Sequence, residues 1–193
     1  MKLKLAANVA VGAAALSVAS FAMAANLRGT TAGDTLTGTN GADIVAALAG
    51  DDTVNALGGR DLVYGGPGND TIDAGNGIDV VLGGEGNDTI LGGNGPDLLR
   101  GRSGDDTVDG GDGRDVLFGG WGTDTLRGGN GNDRLYAVAK DGQLDTLDCG
   151  AGNRDVAVVR AGEPVSLSGC EVVRTLPDDY LGRGEPGEPT DGS

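Results

Sequence analysis

The chain has 193 residues, of which 29 are acidic, 14 basic and 39 glycine, while aromatic residues make up only 3%. So few large apolar side chains exclude an ordinary thick core, and glycine at this level without a three-residue period excludes collagen, leaving disorder or a turn-rich repeat. A formal net charge of −15 makes nucleic acid and anionic membrane surfaces poor partners, because both would repel it.

Residues 1–24 read as a secretory signal peptide. Lys2 and Lys4 supply a charged start, Leu5 to Val18 is apolar and alanine-rich, and Ala22-Met23-Ala24 is a small-x-small cleavage signal. The apolar stretch falls short of the roughly 20 residues that a membrane-spanning helix needs. Cleavage after Ala24 and a secreted, extracellular protein are therefore expected. Loss of Lys2 and Lys4 takes the net charge from −15 to −17.

A short lead, Ala25 to Arg28, precedes twelve uninterrupted nonapeptides that fill 29–136. Every one carries Asp at its sixth place: Asp34, Asp43, Asp52, Asp61, Asp70, Asp79, Asp88, Asp97, Asp106, Asp115, Asp124 and Asp133. The eighth place is always aliphatic, from Leu36 to Leu135, and the fourth is Gly except at Ala32. Leu48 and Leu57 stand where later frames have Gly66 and Gly84. A fixed period of this kind predicts a solenoid. Places one to six are turn-formers and places seven to nine a short strand, with place eight inward and its neighbours outward.

Place seven shows a second period. Odd frames carry Thr35, Thr53, Thr71, Thr89, Thr107 and Thr125; even frames carry Ile44, Leu62, Val80, Leu98 and Val116, then Arg134. The unit is therefore two nonapeptides, eighteen residues per coil, with odd strands stacked in one parallel sheet and even strands in the other. The fold class is all-β, a two-sheet parallel β-solenoid of about six coils, roughly 29 Å long at the usual strand spacing.

Beyond 136 the frame degrades. Weak frames keep Asp145 and Asp155, and 137–176 reads as degenerate repeats closing into a small β cap, since solenoids need atypical ends. Cys149 and Cys170, in an exported chain, read as a disulfide. It would close a loop of about 22 residues, worth roughly 3 kcal/mol in the chain-entropy model. The acidic, Pro- and Gly-rich stretch 177–193 reads as a disordered tail.

Asp at place six recurs once per coil along each edge. Adjacent carboxylates at that spacing repel unless a cation lies between them. Ca2+ takes six to eight oxygens and accepts main-chain carbonyls beside carboxylates. Zinc and copper call for His or Cys. The chain has no His, and both Cys lie outside the regular frames. Mg2+ retains its waters and fits less well.

The pattern G-G-x-G-x-D-x-U-x, strictest in GGPGND (65–70), GGEGND (83–88), GGNGPD (92–97) and GGNGND (128–133), resembles the RTX or hemolysin-type calcium-binding nonapeptide. The resemblance implies a parallel β-roll with Ca2+ in the turns, the twelve place-six Asp as ligands and glycine-turn carbonyls beside them. Ions would lie between turns two frames apart, such as Asp70 with Asp88. The Asp34–Asp52 gap is the weakest, because of Ala32. RTX proteins exported in one step usually lack a cleaved N-terminal peptide, so two-step export, or export from a cell with a single membrane, fits this chain better.

No HExxH or GxSxG motif occurs, and without His no His-based general base is available. The expected function is a secreted calcium-binding roll, structural or interactive rather than enzymatic. The alternatives are an adhesion or ice-binding surface, or a hydrolase built on a carboxylate pair. The odd face carries a Thr row, but place nine beside it is mixed, which spoils a regular hydroxyl array. The even face carries Ile44, Leu62, Val80, Leu98 and Val116. Such a strip marks an interface, and a homodimer, another protein partner, or the chain's own cap or tail is expected to cover it.

Overall fold

The computed structural model describes residues 16–17 and 24–177. The remainder of the signal segment and of the tail, with the readings placed on them, lies outside the described residues. Every regular element described is a strand. The strands form two sheets, all pairs parallel, one taking the odd frames and the other the even frames. The alternation at place seven thus sorts the frames as the sequence predicts. The odd sheet aligns Thr35, Thr53, Thr71, Thr89, Thr107, Thr125 and Thr146 in one row. The even sheet aligns Ile44, Leu62, Val80, Leu98, Val116, Arg134 and Val156. The result is a two-sheet β-roll.

The roll is longer than its regular frames, at about eight turns. Asn26–Arg28 already pairs with Ile44–Ala46, and Leu16–Ser17 pairs with Leu36 and Thr37. At the other end, Asp145–Asp148, Val156–Arg160, Val165–Ser168 and Val172–Leu176 continue the two sheets in register. The predicted cap is therefore the last turns of the roll itself. The disulfide Cys149–Cys170 joins these turns, with Cys149 fully buried. Beyond the last turn nothing stacks among the described residues, and Leu167, Val172 and Val173 are exposed.

Strands are also longer than three residues. Thr53–Gly59, Leu62–Pro67 and Val80–Glu85 run through the glycines of the following frame, where Gly66 pairs with Gly84 and Pro67 with Glu85. The sheets therefore wrap around the bends, and the true turn shrinks to about three residues. Inward positions then follow the strand period of two across the frame boundary: place six, place eight and place one. Place eight gives the apolar column from Leu36 to Leu135, continued by Leu147 and Ala157, and place one adds Ala47, Ala56 and Ala74. Place six puts Asp inside.

The even face leaves Ile44 and Tyr64 exposed and Leu62, Val80, Leu98 and Val116 half-buried. Because 145–176 extends the sheets, it does not fold back over this face. Part of the apolar strip packs on itself: Phe118 stacks on Tyr136 with centroids 4.5 Å apart, and the Arg100 guanidinium lies 4.7 Å above the Phe118 ring.

From the third frame to the twelfth, place two of the frame takes positive φ. Gly66, Gly75, Gly84 and Gly93 adopt it freely, but Leu48 (φ 87°), Leu57 (φ 74°) and Arg102 (φ 90°) adopt it with a Cβ. An L-residue there costs about 1–2 kcal/mol. Arg102→Gly is expected to stabilise the roll by about 1 kcal/mol net of the entropy that glycine adds to the unfolded chain, raising Tm by about 3 °C. Calorimetry in saturating calcium checks this, and an unchanged or lower Tm contradicts it.

Candidate metal centre

The inward turn of place six follows from strand alternation carried one residue back: once place eight is buried, place six, just before the strand begins, lies on the same side. Thirteen frames' worth of Asp side chains, from Asp34 to Asp133 together with Asp155, are all but inaccessible to solvent, and Asp145 is nearly so. They form two ladders. In the odd ladder the Asp34 N–H donates to Asp52 Oδ1 (2.7 Å), and the pattern repeats through Asp70, Asp88, Asp106, Asp124 and Asp145. In the even ladder the Asp43 N–H donates to Asp61 Oδ1 (2.7 Å), and so on through Asp79, Asp97, Asp115, Asp133 and Asp155. The Asp155 N–H then donates to Glu171 Oε2. Stacking therefore brings together all twelve predicted Asp, six on each edge, and adds Asp145, Asp155 and Glu171.

One oxygen of each carboxylate is satisfied by the ladder. The other is not. Oδ2 of Asp52, Asp61, Asp70, Asp79, Asp88, Asp97, Asp106, Asp115, Asp124, Asp133 and Asp155 is buried with no hydrogen-bond partner. A buried ionised oxygen without a donor is costly, which favours the protonated form of these groups. Burial, with a smaller push from neighbouring carboxylates, raises the pKa of Asp52 and Asp61 to about 6 against a single backbone donor that lowers it. The same causes take Asp88 and Asp97 to about 7 and Asp106 to about 8. Asp124 rises to about 7, and Asp115 and Asp145 to about 6.

The orphaned oxygens face a space that only glycine leaves open. A Cβ placed on Gly65 would collide with Asp70 Oδ2 and with the Gly83 carbonyl of the next coil; one on Gly83 would meet Asp88 Oδ2 and the Gly101 carbonyl. Gly101, Gly110 and Gly128 repeat the arrangement. A carboxylate oxygen and a main-chain carbonyl from successive coils thus converge over each such glycine. Ala47, Ala56 and Ala74 fill that space with a methyl group, so the odd turn of Asp52 and the even turns of Asp61 and Asp79 are tighter. Among the described residues no three carboxylate or thiolate groups converge on one point. The donor set at each turn is hence one or two carboxylates plus main-chain carbonyls, all oxygen, which suits a hard cation.

The first Asp of each column differs. Asp34 Oδ2 accepts from the Thr30 hydroxyl (2.9 Å) and N–H, and Asp43 accepts from the Thr39 hydroxyl (3.0 Å) and N–H. These two carboxylates already have donors. Thr30 and Thr39 stand at place two, where most frames have Gly, and that departure was the available signal.

Residues 28–63, 47–81, 64–99, 82–117 and 100–135 each match the RTX calcium-binding nonapeptide repeat (4 copies). The chain belongs to this family. No curated protein matches the chain. Calcium binding by an RTX β-roll accordingly accounts for the acid columns at the level of the family. Place five adds a feature specific to the odd edge of this RTX roll. Asp51 Oδ1 accepts from the Asn69 N–H, Asn69 Oδ1 from Asn87, Asn87 Oδ1 from Asp105, and Asp105 Oδ1 from Thr123. Even frames carry Arg60, Ile78, Pro96 and Arg114 there and form no such ladder among the described residues.

Proposed function

We propose that the protein is a secreted calcium-binding roll whose place-six Asp are the carboxylate ligands and whose folding is completed by Ca2+. The observation that carries this is the series of eleven buried, unpartnered Oδ2 atoms, seven of which lie beside a glycine at place one of their own frame. A divalent cation there gives each orphaned oxygen a partner and cancels the repulsion along the column. The role is structural or interactive, with the half-exposed even face as the surface offered to a partner. A chain without His, whose acids are used in ladders, supports no catalytic assignment. The export signal in 1–24 and the absence among the described residues of a helix long and apolar enough to cross a membrane support the secreted reading.

Individual Asp should then act locally. Asp88 borders two gaps, toward Asp70 and toward Asp106, and its Oδ2 has no donor. Asp34 borders one gap and is held by Thr30. Asp88→Ala is expected to lower both the calcium bound at saturation and Tm, by about 5 °C or more, while Asp34→Ala has a much smaller effect on bound calcium. Isothermal titration and calorimetry of the two variants test it; equal losses of bound calcium would sink the assignment of stacked ligands.

A further inference from the structure

The even Asp column begins one coil before the first Asp. Counting back one coil from Asp43 reaches Ala25, which stands at place six of the frame that precedes Gly29. Asn26, Leu27 and Arg28 occupy places seven to nine, and Leu27 is buried in the apolar column opposite Val45. From Asp43 to Asp133, each place-six N–H in this column donates to the Asp one coil further on. The nitrogen of Ala25 does the same, lying 2.5 Å from Asp43 Oδ1. Its carbonyl accepts from the Ile44 N–H (2.9 Å), so the residue is fixed on both sides. Ala25 packs against the core, while Ala24 is exposed.

We infer that removal of the signal peptide installs the counter-charge of this column: the α-ammonium of Ala25 becomes an ion-paired cap on Asp43. This rests on the reading that cleavage falls after Ala24. A signal peptidase hydrolyses the Ala24–Ala25 bond with one water; the carboxylate leaves on Ala24, and the amine, which takes up a proton, stays on Ala25. An amide N–H with one hydrogen and no charge becomes an ammonium with three hydrogens and a full positive charge, at an atom already within hydrogen-bond distance of a buried carboxylate. Charge-assisted bonds of this kind are about twice as strong as neutral ones. Ala at place six, where every later frame has an acid, is what makes room for it: an aspartate in the place of Ala25 would set a second carboxylate against the ammonium and restart the repulsion. The mature roll therefore closes its even column with its own terminus, and the column needs an added cation only from Asp61 onward. Export and folding are coupled, since the precursor lacks this charge.

The test compares three forms of the mature chain in saturating calcium: one starting at a free Ala25, one with Ala25 Nα-acetylated, and one that retains Ala24. Acetylation and the one-residue extension are each expected to lower Tm by about 5 °C, and Asp43→Asn is expected to abolish the difference between the free and acetylated forms. Should Asp43→Asn not fold, acylation of the Ala25 amine by an activated ester replaces it: the folded chain should react about tenfold more slowly than a peptide of residues 25–36 at the same pH, a factor that a charge-assisted hydrogen bond supports. Equal Tm values for the free and acetylated forms, or full amine reactivity in the folded chain, would overturn the ion pair alone. Mass spectrometry of the protein recovered from the medium separates the two readings. A first residue other than Ala25 would overturn the processing site and the proposal with it.

Discussion

Removing calcium at pH 7.5 is expected to cost the mature protein most of its β-sheet circular dichroism, and restoring calcium to bring it back. With a net charge of −17 after processing, and with eleven carboxylate oxygens buried without donors, the metal-free roll carries an electrostatic load that its thin core does not offset. The inward column holds only one aliphatic side chain and one Gly or Ala per nonapeptide. Ligand bound to the folded state alone stabilises it by RT ln(1 + [L]/Kd), about 2.7 kcal/mol per site at a hundredfold excess. Several sites in series then decide whether the chain folds. Affinity in the range of extracellular modules, about 10⁻⁴ to 10⁻³ M, would keep the chain unfolded in a calcium-poor cytoplasm and let it fold after export. A spectrum that excess chelator leaves unchanged would contradict this.

Without calcium, acid should stabilise the roll, the reverse of ordinary acid denaturation. In the folded state Asp106 titrates at about 8, Asp88, Asp97 and Asp124 at about 7, and Asp52, Asp61, Asp115 and Asp145 at about 6. The ordinary value for the unfolded chain is 3.8. Between these values the folded state binds more protons than the unfolded one, so stability falls as pH rises through 6 to 8. The gain is fully present below the unfolded value and lost above about 8. In chelator, Tm should therefore climb as the pH is lowered from 8 to 5. In calcium the sign of the ligand effect reverses. Protons compete for the same oxygens, so the apparent affinity for calcium should weaken over that window, and binding at pH 7 should release protons. A Tm in chelator that falls steadily on acidification would mean that the Asp side chains are not buried as ladders.

Much of this architecture is written in the period. The place-seven alternation of Thr with Ile, Leu and Val is enough to assign each frame to a sheet, because odd and even strands stack only on their own kind. Cys149 and Cys170 could be paired because they are the only two cysteines. The inward direction of Asp was harder to see. Places one to six look like a loop, and only when the strands are known to run on through Gly65 and Gly83 does the period of two carry place six and place one to the inside. The last turns were legible as degenerate frames, although their spacing departs from the period. Asp124 pairs with Asp145 and Asp133 with Asp155 across gaps of 21 and 22 residues instead of 18. The added residues sit between strands without breaking register, so the weak frames that show Asp145 and Asp155 in the sequence do continue the two columns. Arg102 at a positive-φ position gave little warning, since its frame otherwise keeps Gly101 and Gly104.

The most direct measurement is calcium stoichiometry at equilibrium. Dialysis of the mature protein against labelled calcium at pH 7.5, with circular dichroism on the same samples, counts bound ions as the roll forms. Two Asp columns with six gaps each predict uptake of several ions per chain, bounded by that number of gaps and rising together with the β-sheet signal. One bound ion or none at saturation, with the β-sheet signal fully developed, would contradict a roll held together by calcium in its turns.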